Sequence, residues 1–170
     1  MLSTRSRLLS GAVAVLAVPG LLIGCSSNKD DAAAKAADSL TIKDQWVKAA
    51  DAEMSAAFAE LSNTGDKPIS IVGATSPASR TVELHEVVPG ADGAKTMRPK
   101  PGGFVVPAHG STKLVPGGEH IMFMGLTGPL RTGSETPITL TLDDGSTKTF
   151  TARVRDFHGN QENYAPEHGG

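Results

Sequence analysis

Cysteine is nearly absent from this 170-residue chain, which holds only Cys25. Without a second thiol no disulfide can form within the chain, so stability must come from an apolar core. A thiolate zinc site, a redox dithiol and, beyond Cys25, a cysteine nucleophile are excluded with it. Other signatures are missing too. There is no internal repeat, and the Gly-Gly pairs stand between predicted strands with no helix behind them to cradle a phosphate. No nucleophile elbow and no clustered carboxylate pair supports catalysis, so an enzyme is not expected. The net charge is −2, and it becomes −4 without Arg5 and Arg7 of the first segment. Neither value favours nucleic acid or an anionic surface.

What is present begins at the N-terminus. Arg5 and Arg7 precede an apolar or small run from Leu8 to Ile23, interrupted by Pro19-Gly20. A short basic segment before a run too short to span comfortably reads as a signal peptide. Its end, Leu21-Leu22-Ile23-Gly24-Cys25, resembles the lipobox of bacterial lipoproteins. That resemblance implies cleavage before Cys25 and a diacylglyceryl group on its sulfur. The alternative is an ordinary secretory signal with an incidental cysteine. The expected organisation is a signal peptide over 1–24, a flexible tether over 25–39 carrying lipidated Cys25, a folded domain over 40–156, and a polar tail over 157–170 that contains histidine. The tether is small and charged, with Ala32 to Ala37 open to some helix. Removing 24 residues from 170 leaves 146, enough for one domain with a real core.

Between Leu40 and Asp156, short β-rich runs alternate with Gly, Pro, Asn and Asp. Nine strands are predicted: Thr41–Ala49, Ser55–Asn63, Ile69–Ser76, Thr81–Val88, Gly103–Val106, Thr112–Val115, His120–Leu126, Ile138–Leu142 and Thr147–Arg155. Asp143-Asp144-Gly145-Ser146 should close a hairpin, because Asp-Gly tolerates a left-handed corner. The pattern is all-β and points to a Greek-key β-sandwich of one domain.

Candidate chemistry lies in two stretches, Glu83 to Glu86 with Lys95 to Arg98, and Pro116 to Leu126. In a strand, alternation puts His120, Met122 and Met124 on one face and Ile121 and Phe123 on the other. Imidazole beside thioether is a poor offer to zinc, calcium or magnesium, whereas soft, neutral thioethers suit Cu(I). By itself, His-X-Met also fits a packed strand, since methionine fills core gaps and strand histidines are usually just hydrogen-bonded.

The wider pattern resembles the PCuAC periplasmic copper chaperones, a cupredoxin-like β-sandwich family. It runs from Val82-Glu83-Leu84-His85-Glu86 through Met97-Arg98-Pro99 and Val106-Pro107-Ala108. It continues with Pro116-Gly117-Gly118, His120-Ile121-Met122-Phe123-Met124-Gly125-Leu126, Pro129-Leu130 and Gly133. Together these span roughly Trp46 to Val154. Two departures stand out: Glu86 occupies a position where some members place an extra methionine, and Pro99 to Gly103 lengthens the gap between Met97 and His120. The resemblance implies Cu(I) held by His85, Met97, His120 and Met122. Two neutral imidazoles and two thioethers favour Cu(I) over Cu(II), which prefers harder donors. Histidine must lose its proton to ligate, so affinity should fall as pH drops through about 6.5.

His158 and His168, with Asp156, Glu162 and Glu167 nearby, form a candidate second site better suited to Cu(II). His109 is expected in an exposed turn, Met54 in packing, Met124 in packing with a third thioether ligand as the alternative, and Glu86 and Glu119 on strand faces turned away from the histidines. By the family resemblance, the chain is a chaperone on the outer face of the cell membrane or in the periplasm. It would pass copper to cytochrome c oxidase, with a Sco-type assembly protein as a further partner and the lipid as its membrane attachment. The alternatives are a copper storage or resistance lipoprotein, or a structural lipoprotein domain with no metal.

Overall fold

The computed structural model describes residues 35–90 and 93–159, and the backbone of 163–164. The expected signal segment, Cys25, most of the tether and His168 lie outside the described residues. One helical turn, α1 (Ala36–Ser39), precedes eleven strands: β1 (Leu40–Lys48), β2 (Met54–Asn63), β3 (Ile69–Thr75), β4 (Ser79–Pro89), β5 (Lys95–Pro99), β6 (Phe104–Val106), β7 (Ser111–Leu114), β8 (His120–Leu126), β9 (Glu135–Leu142), β10 (Thr147–Arg155) and β11 (Asn163–Tyr164). All nine predicted strands are found, most within two residues of the expected ends. Two more, β5 and β11, were missed. Each is short, and Lys95–Pro99 carries no alternation of apolar and polar residues to signal it.

The strands form one sheet in the order β11-β5-β4-β8-β2-β1-β10-β9-β3-β6, with β7 on the far end of β2. It folds over on itself, so that β3 and β4, distant in that order, touch across the core. The result is the expected all-β sandwich. Strand β1 joins the two halves: it pairs antiparallel with β2 and parallel with β10. Its ladder slips between Lys43 and Trp46, where Asp44 takes a φ of 52°. Such bulges bend a strand and re-aim the side chains that follow. The hairpin of β9 and β10 closes at Asp143 to Ser146 as expected.

The core follows from strand alternation. Val47, Leu61, Ile71, Phe104, Ile121, Phe123, Ile138, Leu140, Ala152 and Val154 are at most 1% exposed. Residues 35–39, expected within the tether, are docked on the β9–β10 turn: the Ala36 N–H donates to Asp144 Oδ2 at 2.8 Å and the Ala37 N–H to Ser146 Oγ at 3.2 Å. The longer segment after Met97 is absorbed by a tight turn. The Lys100 N–H donates to the Leu84 carbonyl at 2.8 Å, and Gly103 sits at a φ of +72° with its Cα against β3. A Cβ there would lie 2.0 Å from the Ile71 carbonyl oxygen, so only glycine fits.

Candidate metal centre

Four neighbouring strands build the site on the face of the sheet opposite the core. Antiparallel pairing of β4 with β8 sets Glu83 across from Met122 and His85 across from His120. The two imidazoles lie with centroids 5.6 Å apart and planes at 61°. On β5, Met97 is opposite Val87, two residues beyond His85 and therefore on the same face. On β2, Ala56 is opposite Met122, which places Met54 and Phe58 on this face as well. Leu84, Ile121, Phe123 and Ala57 alternate into the core, whereas His85, Met122 and Phe58 do not belong to that cluster. The two faces of β8 are thus separated as predicted.

Both histidines are buried, His85 fully and His120 to 1% exposure. His120 Nδ1 lies 3.0 Å from the Gly118 carbonyl oxygen. That oxygen can only accept, so Nδ1 carries the proton and Nε2 keeps its lone pair. Nε2 is buried and has no hydrogen-bond partner. Burial holds His120 below its ordinary pKa; the Gly118 bond opposes this and the neighbouring His85 adds to it. A neutral imidazole with a buried, unengaged lone pair is the form a metal ligand requires. On the other ring, His85 Nε2 lies 2.8 Å from Glu83 Oε2. A carboxylate accepts this bond, which puts the proton on Nε2 and the lone pair on Nδ1.

A cleft of about 190 Å³ opens beside the pair, and Met54, Ala56, Met97, His120 and Met122 are among its lining residues. Its wall is aromatic: Phe58 stands 6.2 Å from His120 and 4.5 Å from Trp46, and Trp46 packs edge-on against Phe157 at 5.5 Å. Among the described residues no three His, Cys, Asp or Glu side chains cluster where they could hold a metal.

Of the predicted site residues, the fold brings together His85, His120, Met122 and Met97. His109 is exposed in its turn with a φ of 52°, 2.8 Å from Asp66 Oδ1. His158 is exposed, and its proposed companion His168 lies outside the described residues. Glu86 and Glu119 turn away as expected and share one cation: Lys100 reaches them at 3.2 and 3.0 Å, and Arg98 joins Glu86 at 2.9 Å. Hydrogen bonding from Arg98 lowers the Glu86 pKa, while the two carboxylates raise that of Lys100.

Of the two methionines expected in packing, Met54 departs from it. Met54 is 41% exposed and lines the cleft, and half-buried Met124 lies on the cleft face of β8. Glu83 was missed, although its place two residues before His85 already put it on that face. The sequence marks the segment over 157–170 only as a polar tail. Phe157 and Gly159 nevertheless line the cleft, and the β11 backbone pairs with β5 in a register that sets Tyr164 against Met97.

The β-sandwich itself is shared with solved PCuAC domains. The copper-bound PCuAC domain from PmoF2 superposes with a TM-score of 0.59 at 19% identity, covering 72% of this chain and 97% of that domain. CuI-DR1885 from Deinococcus radiodurans superposes at 0.51 with 30% identity, covering 72% and 83%. The chain belongs to the family described as "Putative lipoprotein LpqE-like", whose pattern matches residues 40–154. A lipoprotein of Leifsonia xyli subsp. xyli is 42% identical over 164 residues, covering 95% of this chain and 98% of its own length. Lipoproteins of this kind are extracytoplasmic and held at a membrane.

Proposed function

We propose that this protein is a copper metallochaperone whose cargo, Cu(I), is held by His85, Met97, His120 and Met122. One observation carries the proposal. The buried Nε2 of a neutral His120 borders a cleft shared with the thioethers of Met97 and Met122, beside a second buried histidine. This donor set is soft and uncharged, which suits Cu(I) and offers little to harder ions. The copper-bound PCuAC domain from PmoF2 and CuI-DR1885 support the choice of metal. A lipid on Cys25, after removal of 1–24, would keep the domain at the outer face of the membrane. Tethering there would raise its effective concentration toward a membrane recipient, for which cytochrome c oxidase, assisted by a Sco-type protein, is the proposed candidate.

The test is a Cu(I) competition titration of the wild type against His120→Ala combined with Met122→Ala. Emission from Trp46, the only tryptophan, which packs against Phe58 beside His120, gives a second readout. Loss of at least about 100-fold in affinity is expected, in line with losing two of four donors. Unchanged binding in the double variant would sink the site. Oxidase activity in a deletion strain separates delivery from storage: delivery predicts a defect at low copper that added copper relieves. Release of Cys25→Ala from the membrane fraction tests the anchor, and retention would overturn it.

A further inference from the structure

Beyond the four proposed ligands, two thioethers have no assigned role: Met54, which lines the cleft, and Met124, which lies on the same face beside it. Met54 on β2 and Met124 on β8 are direct register partners. Directly opposed residues on paired strands point to the same side, with Cβ atoms roughly 5 Å apart. Each methionine has three rotatable bonds and a polarisable sulfur, so two such side chains can close on one soft ion. The next pair inward is Ala56 with Met122, and beyond it β8 carries His120 opposite His85. Exposure falls along this row from 41% at Met54 to 3% at Met122 and 1% at His120. Small Ala56 lines the cleft between the outer and inner positions, and a long side chain there would fill it.

We propose that Met54 and Met124 form an outer, thioether-only station for Cu(I), through which the ion enters and leaves the inner site by way of Met122. The proposal rests on reading the inner residues as a Cu(I) site and assigns the route to it. Each move is a ligand exchange. One sulfur–copper bond forms as a bond to the previous ligand breaks, copper stays Cu(I), and no proton or electron is released. With no imidazole, the outer pair binds more weakly than the inner set and without dependence on pH, as a transit position requires.

The experiment uses the full chain in detergent, labelled with ¹³C-methyl methionine and titrated with Ag(I), a redox-inert stand-in for Cu(I). The first equivalent should move the Met97 and Met122 methyl signals, and a second, weaker one those of Met54 and Met124. In Met54→Leu with Met124→Leu, near-isosteric changes that leave the fold in place, the second equivalent should vanish. Affinity for the first should stay within about threefold, while Cu(I) transfer to a chelator in stopped flow slows by about tenfold as the intramolecular relay is lost. If Met97 and Met122 respond while Met54 and Met124 stay still through two equivalents, the station falls and the inner site stands. If none of the four responds, both readings fall. Transfer at the wild-type rate in the double variant overturns the route. Met54→Leu alone, at an exposed position, gives the same kinetic test should the double variant unfold.

Discussion

Removing the Glu83 carboxylate should weaken Cu(I) binding without touching a ligand. Glu83 Oε2 holds His85 Nε2 at 2.8 Å, which sets both the tautomer and the ring orientation of a fully buried imidazole. It also places a carboxylate on one histidine of a neutral donor set, so it offsets part of the charge that the ion brings. Outer partners of ligating histidines typically contribute 10- to 100-fold in affinity, equivalent to about 1.4–2.7 kcal/mol at 1.36 kcal/mol per decade. Glu83→Ala should therefore lower Cu(I) affinity by about that factor in competition with a chromophoric chelator. Glu83→Gln, whose amide oxygen can still accept from Nε2–H, should recover part of the loss. The carboxylate is 29% exposed, so its loss leaves no sealed cavity and the fold should persist. An affinity for Glu83→Ala within about twofold of wild type would refute the idea that this bond prepares His85.

Three further outcomes are expected. Burial depresses the His120 pKa in the folded protein, so below about 6.5 the unfolded chain binds more protons and metal-free stability should fall as pH drops. Denaturant midpoints at about pH 7.5 and 5.5 would check this, and a flat profile would count against a buried neutral His120. Phe123→Ala, on the core face of β8 and fully buried, should cost about 3–5 kcal/mol in unfolding free energy. Met122→Leu on the opposite face should cost less than about 1.5 kcal/mol yet weaken Cu(I) binding, so calorimetry with titration should separate the two faces of one strand. Lys100→Met removes the cation shared by Glu86 and Glu119. The loss should stay below about 1 kcal/mol for such partly exposed pairs and shrink at high salt; an equal loss at low and high salt would point to packing instead.

The residues themselves determined a good deal. Alternation is a local, period-two property, so His120, Met122 and Met124 could be assigned to one face of β8 and Ile121 and Phe123 to the other before any pairing was known. Punctuation by Gly, Pro and Asp located nine strands, and the near-absence of cysteine left histidine and methionine as the soft donors. The same alternation placed Glu83 with His85, a signal present but unread. Register lay beyond reach. That His85 faces His120, that Met97 comes from an unannounced strand beside Val87, and that Met54 lies against Met124 are pairings between residues 10 to 70 positions apart. They are settled together across the sheet, because one face must bury its apolar residues and a slip of one residue would turn each histidine into the core. The row of thioethers leading to two buried imidazoles is a product of that collective choice, made from residues whose individual positions show only which way each one faces.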